Sequence, residues 1–255
     1  MQTNIVIIGT GRLATQIIKA FNENNGFSCF IYGRDKKKVD ALLEQYSCLT
    51  SISLDQISSV SICLLCVSDS VLKEVADSIA EKNCVLIHFS GAQSLDSLLI
   101  SHANGAVYWP LKSFSFEEES NWENTPVAVQ VSTKKSEEAI KQINSYLKAR
   151  LFYLDEDQRM KLHLAAVLVN NFSNHLFHLA YDWCIQNQLP FESLIPIIQQ
   201  TANRINSQDP AQFQTGPAAR KDEKTIASHE MLLQNNAQLK EIYTLFTALI
   251  KSTSN

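Results

Sequence analysis

Six short stretches of this 255-residue chain have the residue types and spacing to do chemistry. The first is Gly9-Thr10-Gly11-Arg12-Leu13-Ala14, a G-x-G-x-x-A turn. Its chemistry is that of a dinucleotide cradle. Gly9 allows the tight turn, Gly11 lets the backbone approach a pyrophosphate, and Ala14 lets a helix pack close to the preceding strand. The helix N-terminus then offers N–H groups to phosphate. The second stretch is Gly33-Arg34-Asp35 with Lys36, Lys37 and Lys38. A basic residue here accommodates a 2′-phosphate and selects NADP, whereas a carboxylate selects NAD. Arg34 therefore favours NADP over NAD. Asp35 reads either as a ribose ligand or as a helix cap, and the lysines either as phosphate ligands or as a solvated turn.

The third stretch is Ser90-Gly91-Ala92, where a hydroxyl or backbone N–H groups can meet a substrate oxygen. The fourth is Trp109-Pro110-Leu111-Lys112, in which Lys112 is an acid or a surface residue. The fifth is the polar stripe His163, Asn170, Asn174 and His178, spaced to share one face of an α-helix. Histidine exchanges protons near neutral pH, so His163 is a candidate general acid and Asn170 a candidate substrate-orienting amide. The same residues also suit a helix interface that needs buried polar partners. A further cluster, Gly216 to Asp222 with His229, reads as an anion-binding arginine loop or as Arg220 pairing with Asp222. No metal-ligand spacing occurs.

The elements that must position these groups follow from hydrophobic patterning. Asn4–Ile8 is a β-branched apolar run of the kind that forms a buried parallel strand. Leu13, Ile17, Ile18, Ala20 and Phe21 repeat with helical spacing behind the turn. That strand–turn–helix order is the context that gives the glycine motif its meaning. Further strands are expected at Phe27–Tyr32, after a turn at Asn24-Asn25-Gly26, and at Ser61–Val67, Val85–Phe89, Ala106–Trp109, Val127–Val131 and Leu151–Leu154. Helices are expected at Val39–Tyr46, Val71–Ala80 (capped by Ser68 or Asp69) and Ser136–Ala149. Alternating strands and helices predict an α/β, doubly wound, mostly parallel sheet over residues 1–154. Gly9, Arg34, Ser68 and Ser90 then all lie at carboxyl ends of strands, where such sheets bind ligands.

From residue 155 to 255 the pattern is all-α. Asp157–Gln188, free of Gly and Pro and apolar on most sides, predicts one long helix that forms the buried axis of a helical domain or of a homodimer. Helices at Ser193–Ser207, Glu223–Leu232 and Asn235–Lys251 complete this part. The chain is 45% apolar with a formal net charge of −4. That balance supports a sizeable core and argues against a nucleic-acid partner. No run of about eighteen apolar residues predicts a membrane span. Six cysteines in apolar runs read as small buried hydrophobes of a cytoplasmic protein. In the C-x-x-C of Cys63 and Cys66, strand geometry sends the two thiols to opposite faces.

Phe89-Ser90-Gly91-Ala92, Trp109-Pro110-Leu111, His163-Leu164-Ala165-Ala166 through Asn170-Asn171-Phe172, and Thr215 to Asp222 with His229 occur in an order that resembles a family. The chain is similar to the 6-phosphogluconate and β-hydroxyacid dehydrogenase superfamily. More closely it resembles the Rossmann-like, deazaflavin-dependent NADP oxidoreductase-like proteins with a C-terminal domain of unknown function. The resemblance implies an NADP-dependent oxidoreductase, reducing a small carbonyl or imine, with a homodimer as the default assembly. It implies cofactor contacts at Gly9, Thr10, Gly11, Arg12, Leu13, Arg34 and Ser68, and substrate between Ser90, His163 and Asn170. Two departures stand out. The superfamily's catalytic lysine, one turn before an asparagine, is replaced by Ala166 and Val167. Trp109 stands where the closer family has a histidine. The departures leave room for a non-catalytic NADP-binding sensor, or for a structural dimer with a vestigial site.

Overall fold

The computed structural model describes residues 4–23, 28–57, 61–79, 84–99, 103–117, 121–205 and 209–253. The turn at Asn24-Asn25-Gly26, Phe27, and the expected helix ends at Ala80 and Ser207 lie outside the described residues. The chain divides into two compact units, Met1–Leu168 and Val169–Asn255.

The first unit is built on an eight-stranded sheet. Its strands are β1 (Ile5–Ile8), β2 (Cys29–Tyr32), β3 (Leu49–Ser51), β4 (Ile62–Leu65), β5 (Val85–His88), β6 (Gly105–Pro110), β7 (Pro126–Val131) and β8 (Arg150–Tyr153). Their spatial order is β3-β2-β1-β4-β5-β6-β7-β8. All neighbours run parallel except β6 and β7, which pair antiparallel. Each expected strand is present within a residue or two. The short edge strand β3 is an addition, and its sequence Leu-Thr-Ser carries almost no pattern.

The runs IVII, ICLL and VLIH are buried at every position because helices cover both faces. Alternate residues feed two separate cores. Ile5, Ile7, Ile31, Leu64, Ile87 and Tyr108 pack with Ile17 and Phe21 of α1 (Arg12–Asn22), and with Ile140 and Ile143 of α5 (Lys134–Leu147). Val6, Ile8, Cys63, Leu65, Leu86 and Val107 pack with Leu72 and Ala76 of α3 (Leu72–Asp77) and with Leu98 of α4 (Asp96–Leu99). Val39 and Leu42 of α2 (Lys36–Gln45) join the first core. Cys66 lies in the first core and Cys63 in the second, as strand alternation requires. All six cysteines are reduced and buried.

The last helix of this unit is α6 (Glu156–Ala166). A reciprocal cap starts it: Asp155 Oδ1 accepts from the Gln158 N–H at 2.8 Å, and Gln158 Oε1 accepts from the Asp155 N–H at 3.1 Å. Leu162 and Ala166 pack on the second core. Beyond α6 the expected single α-helix is interrupted. Val167–Phe172 is π-helical, and α7 (Ser173–Gln186) resumes after it. The π turn closes i→i+5 hydrogen bonds. The α-helical spacing that aligned His163 with Asn170, Asn174 and His178 therefore does not run through this segment.

The second unit contains α7, α8 (Ile195–Arg204), α9 (Glu223–Leu232) and α10 (Ala237–Thr253). The Lys251 ammonium donates to both carboxylate oxygens of Glu223, at 2.8 and 2.9 Å, and so ties α10 to α9. Few side chains here are buried, Cys184, Ala218, Ile226 and Leu233 among them. Large apolar side chains stand exposed, including Val169 at 74%, Phe172, Phe177 and Tyr181. Within the single chain α7 is not a buried axis.

Candidate functional site

The glycine turn sits where the strand order reverses between β1 and β4. The Gly9 N–H donates to the Tyr32 carbonyl at 2.9 Å, and the Cys66 N–H to the Ile8 carbonyl at 2.8 Å. Gly9 has φ of +124°, and a Cβ there would lie 2.2 Å from the Cys66 carbonyl oxygen. No L side chain fits, so the close approach of β1 to β4 itself demands glycine. Gly11 differs. Its backbone is extended, and a Cβ built there meets nothing within 4 Å. No packing reason excludes a side chain at this position.

Gly9, Thr10, Gly11, Arg34, Ser68 and Glu74 line a cavity of about 430 Å³ at this switch point. No side chain caps α1 at Gly11. Its first-turn N–H groups, without intrahelical partners, therefore open where Gly11 lines the cavity. Gly33 is also packed tightly, since a Cβ there would come within 2.8 Å of Thr10 Cγ2 and 2.9 Å of Val39 Cγ2. Arg34 is exposed at the cavity edge. Asp35 caps α2 by accepting from the Lys38 N–H at 3.3 Å. The Arg12 guanidinium lies 5.6 Å from the Phe116 ring centroid, and Leu13 packs on the first core. The Ser68 hydroxyl lies 3.1 Å from that of Ser70.

A second cluster forms at the carboxyl end of β5. The Ser90 hydroxyl donates to Asp69 Oδ2 at 2.8 Å and accepts from the N–H groups of Ala92 and Gln93 at 3.1 and 3.0 Å. It serves as the local turn's organising group. The Ser90 N–H donates to His88 Nδ1 at 3.2 Å. Arg159 Nη1 donates to the Gly91 carbonyl at 2.7 Å and to the Ser90 carbonyl at 3.4 Å. His163 lies one turn beyond Arg159 on α6, its ring edge-on to Trp109 at 5.5 Å between centroids. A Cβ on Gly91 would meet Trp109 Cε2 at 2.6 Å and His163 Nδ1 at 2.8 Å. His163 is half-buried, and its Nδ1 is buried without a hydrogen-bond partner among the described residues.

The sequence reading missed Arg159 and His88. A histidine inside an apolar strand (VLIHF) and an arginine four residues before His163 were the available signals. Burial, reinforced by the Arg159 charge, pushes the His88 imidazole down to about 3.

Asn170 falls in the π-helical segment and belongs to the second unit. His178 is exposed, with Nε2 3.5 Å from Asp182 Oδ2. Asp222 caps α9, accepting from the Thr225 N–H and hydroxyl at 3.1 and 2.7 Å, and those bonds hold its carboxyl below the usual range. His229 Nδ1 lies 2.9 Å from the Tyr243 hydroxyl. Lys112 donates to the Asn121 carbonyl at 3.2 Å. Among the described residues no helix is long and apolar enough to cross a membrane, and no three metal-ligating side chains converge.

Comparisons agree with this architecture. Residues 4–90 match the model of the NADP oxidoreductase, coenzyme F420-dependent family, and residues 125–250 match a domain of unknown function, DUF2520. A candidate NADP oxidoreductase from Bacteroides fragilis is similar over 98% of both chains, with 28% identity and a TM-score of 0.87. A Thermotoga maritima protein shares 20% identity over 98% of both chains, with a TM-score of 0.72. Plasmodium falciparum pyrroline carboxylate reductase, solved with NADP bound, shares 12% identity over 100% of this chain and 99% of its own, with a TM-score of 0.61. The last two likenesses concern the fold alone. No curated protein matches the chain.

The neutral state of His88 has a consequence for stability. In the unfolded chain it protonates near 6.5, and in the folded chain only near 3. Between these values the unfolded state binds the extra proton, so stability is full above pH 6.5 and falls as pH drops toward 3. The slope contributed is at most about 1.4 kcal/mol per pH unit. Urea midpoints of His88→Asn should decline less steeply across that window than those of the wild type. Parallel declines would show that His88 is not buried neutral.

Proposed function

We propose, for a chain that belongs to the Rossmann-like NADP oxidoreductases with a helical C-terminal domain of unknown function, that it binds NADP and reduces a small carbonyl or imine. The observation that carries the reading is the cavity at the β1–β4 crossing, with Gly9 required by packing and Gly11 left bare without a packing reason. A bare Gly11 lets backbone N–H groups reach a pyrophosphate, and Arg34 at the rim supplies the cation that a 2′-phosphate needs. When bound, NADP supplies the hydride; the protein's part is placement and a proton.

In this reading Thr10, Gly11 and Ser68 line the cofactor's path along the strand ends. Gly91 keeps the floor beside Trp109 flat, because no side chain fits between it and the two rings. His163, held edge-on to Trp109, delivers the proton to the substrate oxygen or nitrogen. Ser90 acts by shaping the turn, since its hydroxyl is already donating and accepting. That occupied hydroxyl, together with Ala166 and Val167 where the superfamily has its lysine, favours a second reading: a cytoplasmic NADP-binding sensor without turnover. A panel of small aldehydes, ketones and cyclic imines, followed by NADPH absorbance, separates the two. At least one member should consume NADPH, and His163→Ala should lower that rate by about 10²–10⁴-fold. NADPH binding with no consumption across the panel would support the sensor.

We also infer that the exposed apolar side chains of the helical unit are covered by a second copy of the chain. Val169, Phe172, Met231 and Leu232 are each more than half exposed. So much apolar surface is unusual for a monomer. Light scattering at micromolar concentration should give a dimer, and Phe172→Glu should shift it to monomer. A wild-type monomer would remove this inference.

A further inference from the structure

Arg159 is 0% exposed, the largest fully buried side chain among the described residues. Only Nη1 is bonded, to the Gly91 and Ser90 carbonyls. Nε and Nη2 are buried with no partner among the described residues. Guanidinium remains charged in proteins, and burying such a charge without an anion is costly. The charge of Glu156 acts on Arg159 from a distance and favours its guanidinium, but its Oε2 is engaged by the Ser94 hydroxyl at 2.6 Å and leaves Nε and Nη2 without a partner among the described residues.

His88 adds to the pattern. Its Nδ1 accepts from the Ser90 N–H, so a neutral ring carries its proton on Nε2. That Nε2 is also buried and unpartnered. Arg159 and His88 grip the same residue, Ser90, from its carbonyl and its N–H. The uncommitted buried atoms around this turn are thus two guanidinium nitrogens, the His88 Nε2–H and, beside Gly91, His163 Nδ1. The first three are donors and the guanidinium carries a positive charge, while His163 Nδ1 donates or accepts according to its tautomer. A cation is repelled by that charge, whereas a carboxylate finds the side-on fork that arginine presents to it. Arg159 holds the Gly91 carbonyl and His88 the Ser90 N–H, and neither is among the residues that line the nucleotide cavity.

We propose that Arg159 is a carboxylate-binding residue and that the substrate is a small oxo or imino acid, its carboxylate held by Arg159 Nε and Nη2 with His88 Nε2 alongside. Because those atoms are buried, entry requires a neighbouring side chain to move. His163, half-buried and one turn along the same face of α6, is the side chain that swings. Its movement couples carboxylate capture to the placing of the proton donor. The carbonyl or imine of such a substrate, one bond from the carboxylate, then falls beside His163. The substrate class rests on the reductase reading, but the anion site does not.

The probe is acetate, with acetamide as its neutral isostere and chloride as a simple anion. In the wild-type protein the Arg159 Nε–H is assigned in proton–nitrogen NMR spectra by its absence from Arg159→Lys. Acetate should shift that resonance saturably, while acetamide and chloride leave it unchanged. Arg159→Lys, which keeps a charge but loses the fork, should lose acetate binding while NADPH affinity stays within twofold of wild type. No shift with acetate, or an equal shift with chloride, would overturn the proposal. If NADPH binds and acetate does not, the carboxylate site fails alone. If acetate binds and NADPH does not, the reductase reading fails and the site stands.

Discussion

The crossing of β1 and β4 is the constraint on which the first unit depends. Two parallel strands leave each other there in opposite directions of the sheet order, and the turn out of β1 passes against the Cys66 carbonyl. Only glycine can make that passage. Once it is made, α1 starts just after Gly11, its N-terminus facing the space the diverging strands leave open, and β2 ends beside the turn through the Gly9–Tyr32 hydrogen bond. The cavity is a by-product of that geometry. Its chemistry comes from what lines it: backbone N–H groups, small hydroxyls, the cations of Arg34 and Lys38 and the carboxylates of Asp35 and Glu74.

The chemistry at the end of β5 obeys a different constraint, the cost of burying charge. An arginine interior to the protein holds two carbonyls and leaves two nitrogens over. Its field, added to burial, keeps the neighbouring His88 neutral. The turn between them is further fixed by the Ser90 hydroxyl, which joins Asp69 to the N–H groups of Ala92 and Gln93. So much hydrogen bonding around three residues makes the strand end rigid. A rigid strand end beside a half-buried histidine is a sound platform for orienting a reactant.

Much of this was legible in the residues, and what was not has physical reasons. The buried strands announce themselves because a strand covered on both faces must be apolar throughout, as IVII, ICLL and VLIH are. The glycine turn is equally readable, since it needs specific residues at fixed spacing, whereas the reciprocal cap of Asp155 and Gln158 went unread and the helix was expected from Asp157, two residues past that cap. β3 was not legible, because three edge residues carry no periodicity. The π segment at Val167–Phe172 was not, because its composition suits an α-helix and neither Gly nor Pro marks the change. Apolar residues on α7 foretold burial without saying against what, and in the single chain they are exposed. His163 could be singled out by type, and Arg159 only by its place one turn before it. Its significance lies in the atoms left unpaired after folding, which no spacing reveals.

The measurement that tests the central claim most directly is a calorimetric titration of NADPH and NADH into the wild type and into Gly11→Val. The open space at Gly11 means the variant should fold with an unchanged melting temperature, while its side chain fills the path of the pyrophosphate. The account predicts saturable NADPH binding to the wild type, at least tenfold tighter than NADH (about 1.4 kcal/mol), and loss of both in the folded variant. Equal binding to the two proteins, or no binding to the wild type, would contradict it.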